Sequence, residues 1–208
     1  MNRQAEIRRT TKETDVYVKL NLDGDGNAKL DYPIGFMKHM LNTFAKHGLF
    51  DIEVKATGDL DVDQHHLVED TGITLGQCFA KALGDKKGIA RCGFCLFPMD
   101  ETLARAVADV SGRGFLVFEA DLIGTPLISG GFSFQVDTVA DFWQGFASAA
   151  GLTLHLDILR GRSDHHKVEA LFKAAARSLR DAVEIDPRAK DSLPTTKGFL
   201  EKPLAVIV

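Results

Sequence analysis

From residue 5 to residue 22 apolar and polar side chains alternate, with many β-branched residues. That is the period-two signature of half-buried strand. The run Asp23-Gly24-Asp25-Gly26-Asn27 interrupts it with turn-forming residues. Strands at 16–22 and 28–30 are therefore expected to pair as a hairpin. The period then changes. Residues 35–47 place Phe36, Met40, Leu41 and Phe44 at helical spacing, and Gly48 follows as the expected stop. Residues 52–56 return to strand and end at Thr57-Gly58-Asp59. A long helix is expected over 63–83, with Asp63 at its N-cap and Gly84 at its end.

The same order then starts again. Strands are expected at 89–97 and 102–110, a turn at Ser111-Gly112-Arg113-Gly114, and a third strand at 115–122. A helix over 137–149 ends before Gly151, a strand covers 152–159, and a long helix covers 163–183. Individual residues repeat with the elements. Glu13-Thr14 matches Glu101-Thr102, and Asp23-Gly24 follows the first pair at the distance at which Ser111-Gly112 follows the second. Phe44 lies five residues after His39, and Phe146 five after Asp141. The expected fold is α+β, a tandem pseudo-repeat of strand-strand-strand-helix-strand-helix units. Two sheets would pack on a layer of helices, since each apolar helix stripe needs a sheet or helix to cover it. Residues 1–86 and 87–185 would be half-repeats of one compact catalytic domain. Residues 186–208, with Pro187, Pro194 and Pro203, read as a C-terminal tail without regular structure.

Composition narrows the function classes. The chain has 208 residues and a formal net charge of −4, which gives no general affinity for nucleic acid or an acidic membrane surface. No apolar run is long enough to span a bilayer, and the polar start MNRQAEIRRTTKET lacks the apolar core of a signal peptide. The chain therefore reads as cytoplasmic. Its three cysteines, Cys78, Cys92 and Cys95, fit a reducing compartment. The spacing of Cys92 and Cys95 is that of a redox pair, but they sit in a strand-like alternation instead of at a helix start, which argues against a redox role.

The distinctive chemistry is a doublet. His65-His66-Leu67-Val68-Glu69 has an echo in His165-His166-Lys167-Val168-Glu169. Positions i and i+4 share a helix face, whereas neighbours diverge by about 100°. His65 and Glu69, or His165 and Glu169, can thus face one metal ion while His66 or His166 faces another. Imidazole with carboxylate is transition-metal chemistry. His39 on the shorter helix of the first half, and Asp141 at the corresponding place in the second, bring the donors to eight. Four for each of two metals leaves positions open for substrate. His47 ends a helix, where a cation suits the dipole. His155, in the apolar run TLHLDIL, reads as a core histidine or a ligand. Arg91, Arg113, Lys173 and Lys197 are surface charges or, beside a metal site, a phosphate clamp. Neither Arg91 nor Arg113 has an evident acidic partner at helix or hairpin spacing. Pro194-Thr195-Thr196-Lys197-Gly198 is an exposed turn or a phosphate-binding segment. These donors alone also suit a dinuclear metal hydrolase or a metal-storage protein.

Taken in order, the runs KET at 12–14, GFMKHML at 35–41, GD at 58–59, QHHLVED at 64–70, PMDE at 98–101, SGR at 111–113, TLH at 153–155, HHKVEALFKA at 165–174 and TKG at 196–198 resemble the imidazoleglycerol-phosphate dehydratase family. The resemblance spans nearly the whole chain. It implies a ribosomal protein S5 domain 2-like fold and a manganese-dependent hydro-lyase of histidine biosynthesis, with two Mn²⁺ per active site. The reaction implied is dehydration of D-erythro-imidazole glycerol phosphate to imidazole acetol phosphate. It also implies a homo-oligomer of twenty-four subunits with metal sites between protomers. Metal ligands would be His39, His65, His66, Glu69, His165, His166 and Glu169, with Asp141 the candidate eighth. Phosphate contacts would come from Arg91, Arg113, Lys173 and Thr195, Thr196 and Lys197. Glu13 would sit against the glycerol portion as a proton shuttle, and His47 would line the substrate site. Three positions depart from the family pattern: Lys38 replaces an Asp, Asp141 a His or Glu, and Thr195 a Ser.

Overall fold

The structure is a computed structural model and describes residues 3–124, 127–129, 132–189 and 191–200. The first half comprises β1 (Gln4–Thr10), β2 (Thr14–Asn21), β3 (Ala28–Asp31), α1 (Gly35–Gly48), β4 (Asp51–Gly58) and α2 (His65–Leu83). The second comprises β5 (Cys92–Met99), β6 (Thr102–Asp109), β7 (Phe115–Glu119), a small ribbon of β8 (Leu127–Ser129) and β9 (Phe132–Phe134), then α3 (Thr138–Ala150), β10 (Thr153–Arg160) and α4 (Asp164–Val183). The strand orders, β1-β2-β4-β3 and β5-β6-β10-β7, are the same topology twice. The ribbon has no counterpart in the first half, and the sequence did not foretell it.

The expected hairpin between 16–22 and 28–30 does not form. β4 lies between β2 and β3, antiparallel to β2 and parallel to β3. Turn residues specify that the chain reverses, but not which strand it joins. Here α1 carries the chain from β3 into β4 as a β-α-β crossover, and such a unit makes the pair parallel. The Asp51 carboxylate fixes the loop by accepting from the backbone N–H groups of Asp25 and Asn27. The single alternating run 5–22 is two strands, broken where Thr11 Oγ1 accepts the N–H groups of Glu13 and Thr14. Gly48 belongs to α1, and the left-handed residue that ends the helix is Leu49, at φ 54°.

The helices form a layer between the two sheets. α2 packs on β1 and β2, and α4 on β5 and β6. The two halves meet helix to helix, α2 against α3 and α1 against α4. The α2–α3 approach is backbone-close: a Cβ added to Gly72 would lie 2.2 Å from the Phe142 carbonyl oxygen. Trp143, Phe44, Phe142, Phe146 and Phe172 fill the centre of this layer and are fully buried. Among the described residues no helix is long and apolar enough to cross a membrane.

The open faces of the sheets differ. Across β1-β2-β4-β3 one row reads Glu6, Lys19, Glu53, Lys29. The corresponding row across β5-β6-β10-β7 reads Phe94, Val107, His155, Val117. Phe94 is 75% exposed and Phe115 60%. His155 is thus an exposed residue of this apolar face, not a core histidine.

Candidate metal and anion sites

Both histidine doublets sit in the first turn of a long helix. The Asp63 carboxylate accepts the His65 N–H at 2.8 Å, and the Ser163 hydroxyl caps α4 by accepting the His166 N–H. The helix–helix contacts between the halves then cross the donors over. His39 of α1 lies 3.3 Å from Glu169 of α4, and His165 lies 3.1 Å from the same carboxylate. Asp141 of α3 lies 3.2 Å from His65 of α2. Each short helix serves the long helix of the other half, so neither half owns a site.

His39, His165 and Glu169 are the compact ligand group among the described residues, with one donor atom from each within 4.8 Å of the others. Phe36 packs edge-on against the His165 ring. Burial pushes the Glu169 carboxyl upward, but hydrogen bonds from Lys173 and His39 outweigh it and hold it below its ordinary value. A carboxylate kept ionised beside two imidazoles is what a divalent cation requires. These residues fit manganese.

The second group is arranged differently. Glu69 faces Nε2 of His65 at 3.8 Å, whereas Asp141 faces Nδ1 at 3.2 Å. Opposite nitrogens of one ring cannot turn to the same ion. In this geometry Asp141, the candidate eighth donor, meets His65 on the nitrogen turned away from Glu69 and orients the ring. The same device recurs on the diverging histidines. His66 Nδ1 meets Asp59 at 3.0 Å and His166 Nδ1 meets Glu101 at 2.8 Å. Each contact leaves Nε2 for a ligand, the usual carboxylate–histidine–metal arrangement. Hydrogen bonding to Asp59 raises the His66 pKa, and the His166 bond is the largest cause of a Glu101 pKa lowered to about 2. Asp59 and Glu101 were missed as site residues, though the runs GD and PMDE contain them.

Glu13 is exposed in the turn between β1 and β2. Its carbonyl accepts the Asp59 N–H, and its carboxylate helps raise the His66 pKa. His47 packs edge-on against Phe97, and Lys173 Nζ lies over the Phe97 ring, 5.5 Å from its centroid. Burial, then the Lys173 charge, lowers the His47 pKa. Lys173 was grouped with the phosphate contacts. In this structure it pairs with Glu169 at 2.8 Å.

The other anion-binding candidates do converge. Arg91, Ser111, Arg113, Thr195, Thr196 and Lys197 line one recess of about 400 Å³. Arg91, expected to lack an acidic partner, has one. Asp109 faces Cys92 across the β5–β6 hairpin and receives Arg91 Nε at 2.7 Å. The spacing signal fails because Arg91 lies just outside the strand and reaches in diagonally.

The imidazoleglycerol-phosphate dehydratase family model matches residues 33–179. The imidazoleglycerol-phosphate dehydratases of Cupriavidus pinatubonensis and Lacticaseibacillus casei are 52% and 54% identical over 198 residues, covering 95% of this chain and 100% of each relative. The crystal structure of the Staphylococcus aureus imidazoleglycerol-phosphate dehydratase superposes with a TM-score of 0.76 at 35% identity, over 88% of this chain and 99% of that one. The Pyrococcus furiosus structure gives 0.73 at 34% identity, over 93% and 100%. With the repeat, the crossed histidine–carboxylate groups and these matches together, the chain belongs to the imidazoleglycerol-phosphate dehydratase family.

Proposed function

We propose that this chain, a hydro-lyase of histidine biosynthesis, dehydrates D-erythro-imidazole glycerol phosphate to imidazole acetol phosphate at a site holding two manganese ions. The observation that carries the metal reading is the cluster of His39, His165 and Glu169, assembled from both halves. His65 with Glu69, and the Nδ1-anchored His66 and His166, supply the remaining donors. When bound, the metal supplies Lewis-acid stabilisation of negative charge on the substrate imidazole.

The chemical difficulty is a proton on a carbon with no neighbouring carbonyl, so its loss depends on charge reaching the imidazole ring. The chain's part is to place that ring and to move protons. The cationic recess takes the phosphate, with guanidinium and hydroxyl groups matching its oxygens. Glu13, exposed beside His66, carries a proton between the reacting carbon and the leaving hydroxyl. A storage protein would have no use for the recess. Lys173 holds Glu169 ionised, and His47 lines the wall that Phe97 shares.

No described group gathers four ligands within one chain. On this reading a second copy completes each site in the homo-oligomer of twenty-four subunits that the resemblance implies, and the exposed apolar face of the second sheet supports burial between copies. Free Cys78, Cys92 and Cys95 accord with the cytoplasm. The test is turnover of imidazole glycerol phosphate by chelator-treated protein, with and without added Mn²⁺. Activity should vanish and return. Full turnover by rigorously metal-free protein would refute the metal reading.

A further inference from the structure

We propose that Asp109 is a positioning residue of the anion recess, acting through Arg91. The inference rests on reading that recess as the phosphate subsite.

Arg91 is held by its backbone and its side chain at once. Its φ is 72°, a conformation uncommon for a residue with a Cβ. Such strain persists only where surroundings over-determine it. Here the Arg91 N–H donates to the Ala182 carbonyl at 2.8 Å, and its own carbonyl accepts from Val110 at 3.0 Å. The guanidinium is fixed as firmly. Nε and Nη2 donate to the two oxygens of Asp109 at 2.7 and 3.1 Å. Nη1 donates to the Pro194 carbonyl at 2.8 Å. A guanidinium has five N–H groups. Three are used, and one on each terminal nitrogen remains for oxygens of a phosphate.

Two consequences follow. An unanchored arginine gives up rotamer freedom when it binds, and the Asp109 fork removes that loss before the ligand arrives. The Pro194 bond also ties the guanidinium to the segment carrying Thr195, Thr196 and Lys197. Asp109 therefore holds two walls of the recess through one side chain.

The first half supplies the contrast. The offset that aligns Glu13 with Glu101 aligns Arg3 with Arg91, Asp23 with Ser111 and Asp25 with Arg113. Arg3 donates to the Asp23 carboxylate and to the Val183 carbonyl. That corner keeps the tethered arginine but has Asp23 and Asp25 at the positions of Ser111 and Arg113, so it does not gather cations for an anion. Only the second-half corner joins an anchored arginine to further cations. Asp109 lies outside the ring of groups that would touch phosphate, which makes its role one of orientation.

The test uses the manganese-loaded, assembled enzyme, with inorganic phosphate as a competitive inhibitor. Asp109→Asn should raise KM about tenfold, the effect of one charged hydrogen bond. The inhibition constant of phosphate should rise by the same factor, with kcat within about threefold and metal content unchanged. Arg91→Ala should do the same. The double variant should be no worse than Arg91→Ala, because residues acting in series are non-additive. If Asp109→Asn raises KM by its full factor in the Arg91→Ala background, it does not act through Arg91 and the proposal falls. If Asp109→Asn shifts neither constant while Arg91→Ala shifts both, the positioning role is wrong and the phosphate recess stands. If Arg91→Ala shifts neither, the recess reading fails first. Should Asp109→Asn not assemble, Arg91→Lys decides. An ammonium keeps the charge but cannot hold both carboxylate oxygens in a fork, so KM should rise nearly as far as for Arg91→Ala, and wild-type constants would overturn the proposal.

Discussion

The two sheets share a topology and differ in what they offer to solvent. The row Glu6, Lys19, Glu53, Lys29 alternates charges so that each side chain faces an opposite partner across the strands. Such a surface is satisfied in water. The equivalent row Phe94, Val107, His155, Val117 leaves apolar groups uncovered. The repeat thus fixed the backbone twice while the side chains diverged. The open apolar face and the cationic recess both belong to the second half. The candidate metal donors follow the opposite rule and are shared crosswise, because α1 packs on α4 and α2 on α3. Surfaces specialise by half, whereas the ligand clusters need both halves.

The largest expected effect tests the shared clusters. Glu169 is buried and touches His39, His165 and Lys173. Glu169→Gln keeps the shape but removes the charge. Loss of an outer-shell partner costs about 10–100-fold in metal affinity, and loss of a ligand costs more. Turnover should fall by more than about a hundredfold, with metal content after dialysis falling in step. Glu69→Gln should match it if the two groups serve equally. Unchanged metal content in Glu169→Gln would mean that the compact cluster is not a metal site.

Next come the carboxylates behind the histidines. Asp59→Ala, Glu101→Ala and Asp141→Ala should each weaken manganese binding about 10–100-fold by freeing an imidazole that each now orients. Equilibrium metal titration reads this directly. Asp141 gives the sharpest outcome. If its loss abolishes one metal equivalent outright, Asp141 is itself a ligand and the orienting role assigned to it is wrong.

A smaller effect separates the two sheet faces. Burying a phenylalanine side chain is worth about 1.5–3 kcal/mol. Phe94→Asp should therefore shift the assembly toward smaller species at a given concentration, as read by light scattering. Lys19→Glu, at the matching place on the charged face, should leave assembly size unchanged. Dissociation by Lys19→Glu and not by Phe94→Asp would reverse the assignment of faces.

Much of this was legible in the chain, and the failures have physical causes. The repeat, the helix count and the two doublets follow from periodicity and local spacing, which depend on near neighbours. Strand partners do not. The turn at 23–27 is real, but α1 sends β3 to the far side of β4. His155 sits in an apolar run because its neighbours in sequence face the helices, while its own face is open. The doublets named candidate ligands, but the crossing of His39 to Glu169 depends on helix packing between halves. Asp59, Glu101 and Asp109 were invisible because each meets its partner only across folded elements.

The smallest expected effect contrasts the ion pairs on the two open faces. On the charged face Arg8 donates to Asp15 at 2.9 Å, and the Thr10 hydroxyl adds a second bond. The Arg8 bond is the largest cause of an Asp15 pKa lowered to about 2, below the unfolded value of about 3.9. A carboxyl depressed in the folded state adds stability that is present above its unfolded pKa and lost as pH falls toward the folded one. Asp15→Asn should therefore lower stability slightly at neutral pH, and its difference from the unsubstituted protein should vanish as pH falls from about 4 to about 2. The pair is exposed, so salt should erase most of the difference. On the apolar face Arg105 holds Asp157 at 3.0 Å, with the carboxylate largely buried. Arg105 is half-exposed but the Asp157 carboxylate is shielded from solvent, so this pair is screened less than Arg8 with Asp15, and Asp157→Asn should cost more than Asp15→Asn and respond less to salt. Urea midpoints at pH 7 and pH 3, at fixed protein concentration and two ionic strengths, read both. Equal, salt-sensitive losses for the two variants would mean that the second face is as wet in the working protein as the first, and that no second copy covers it.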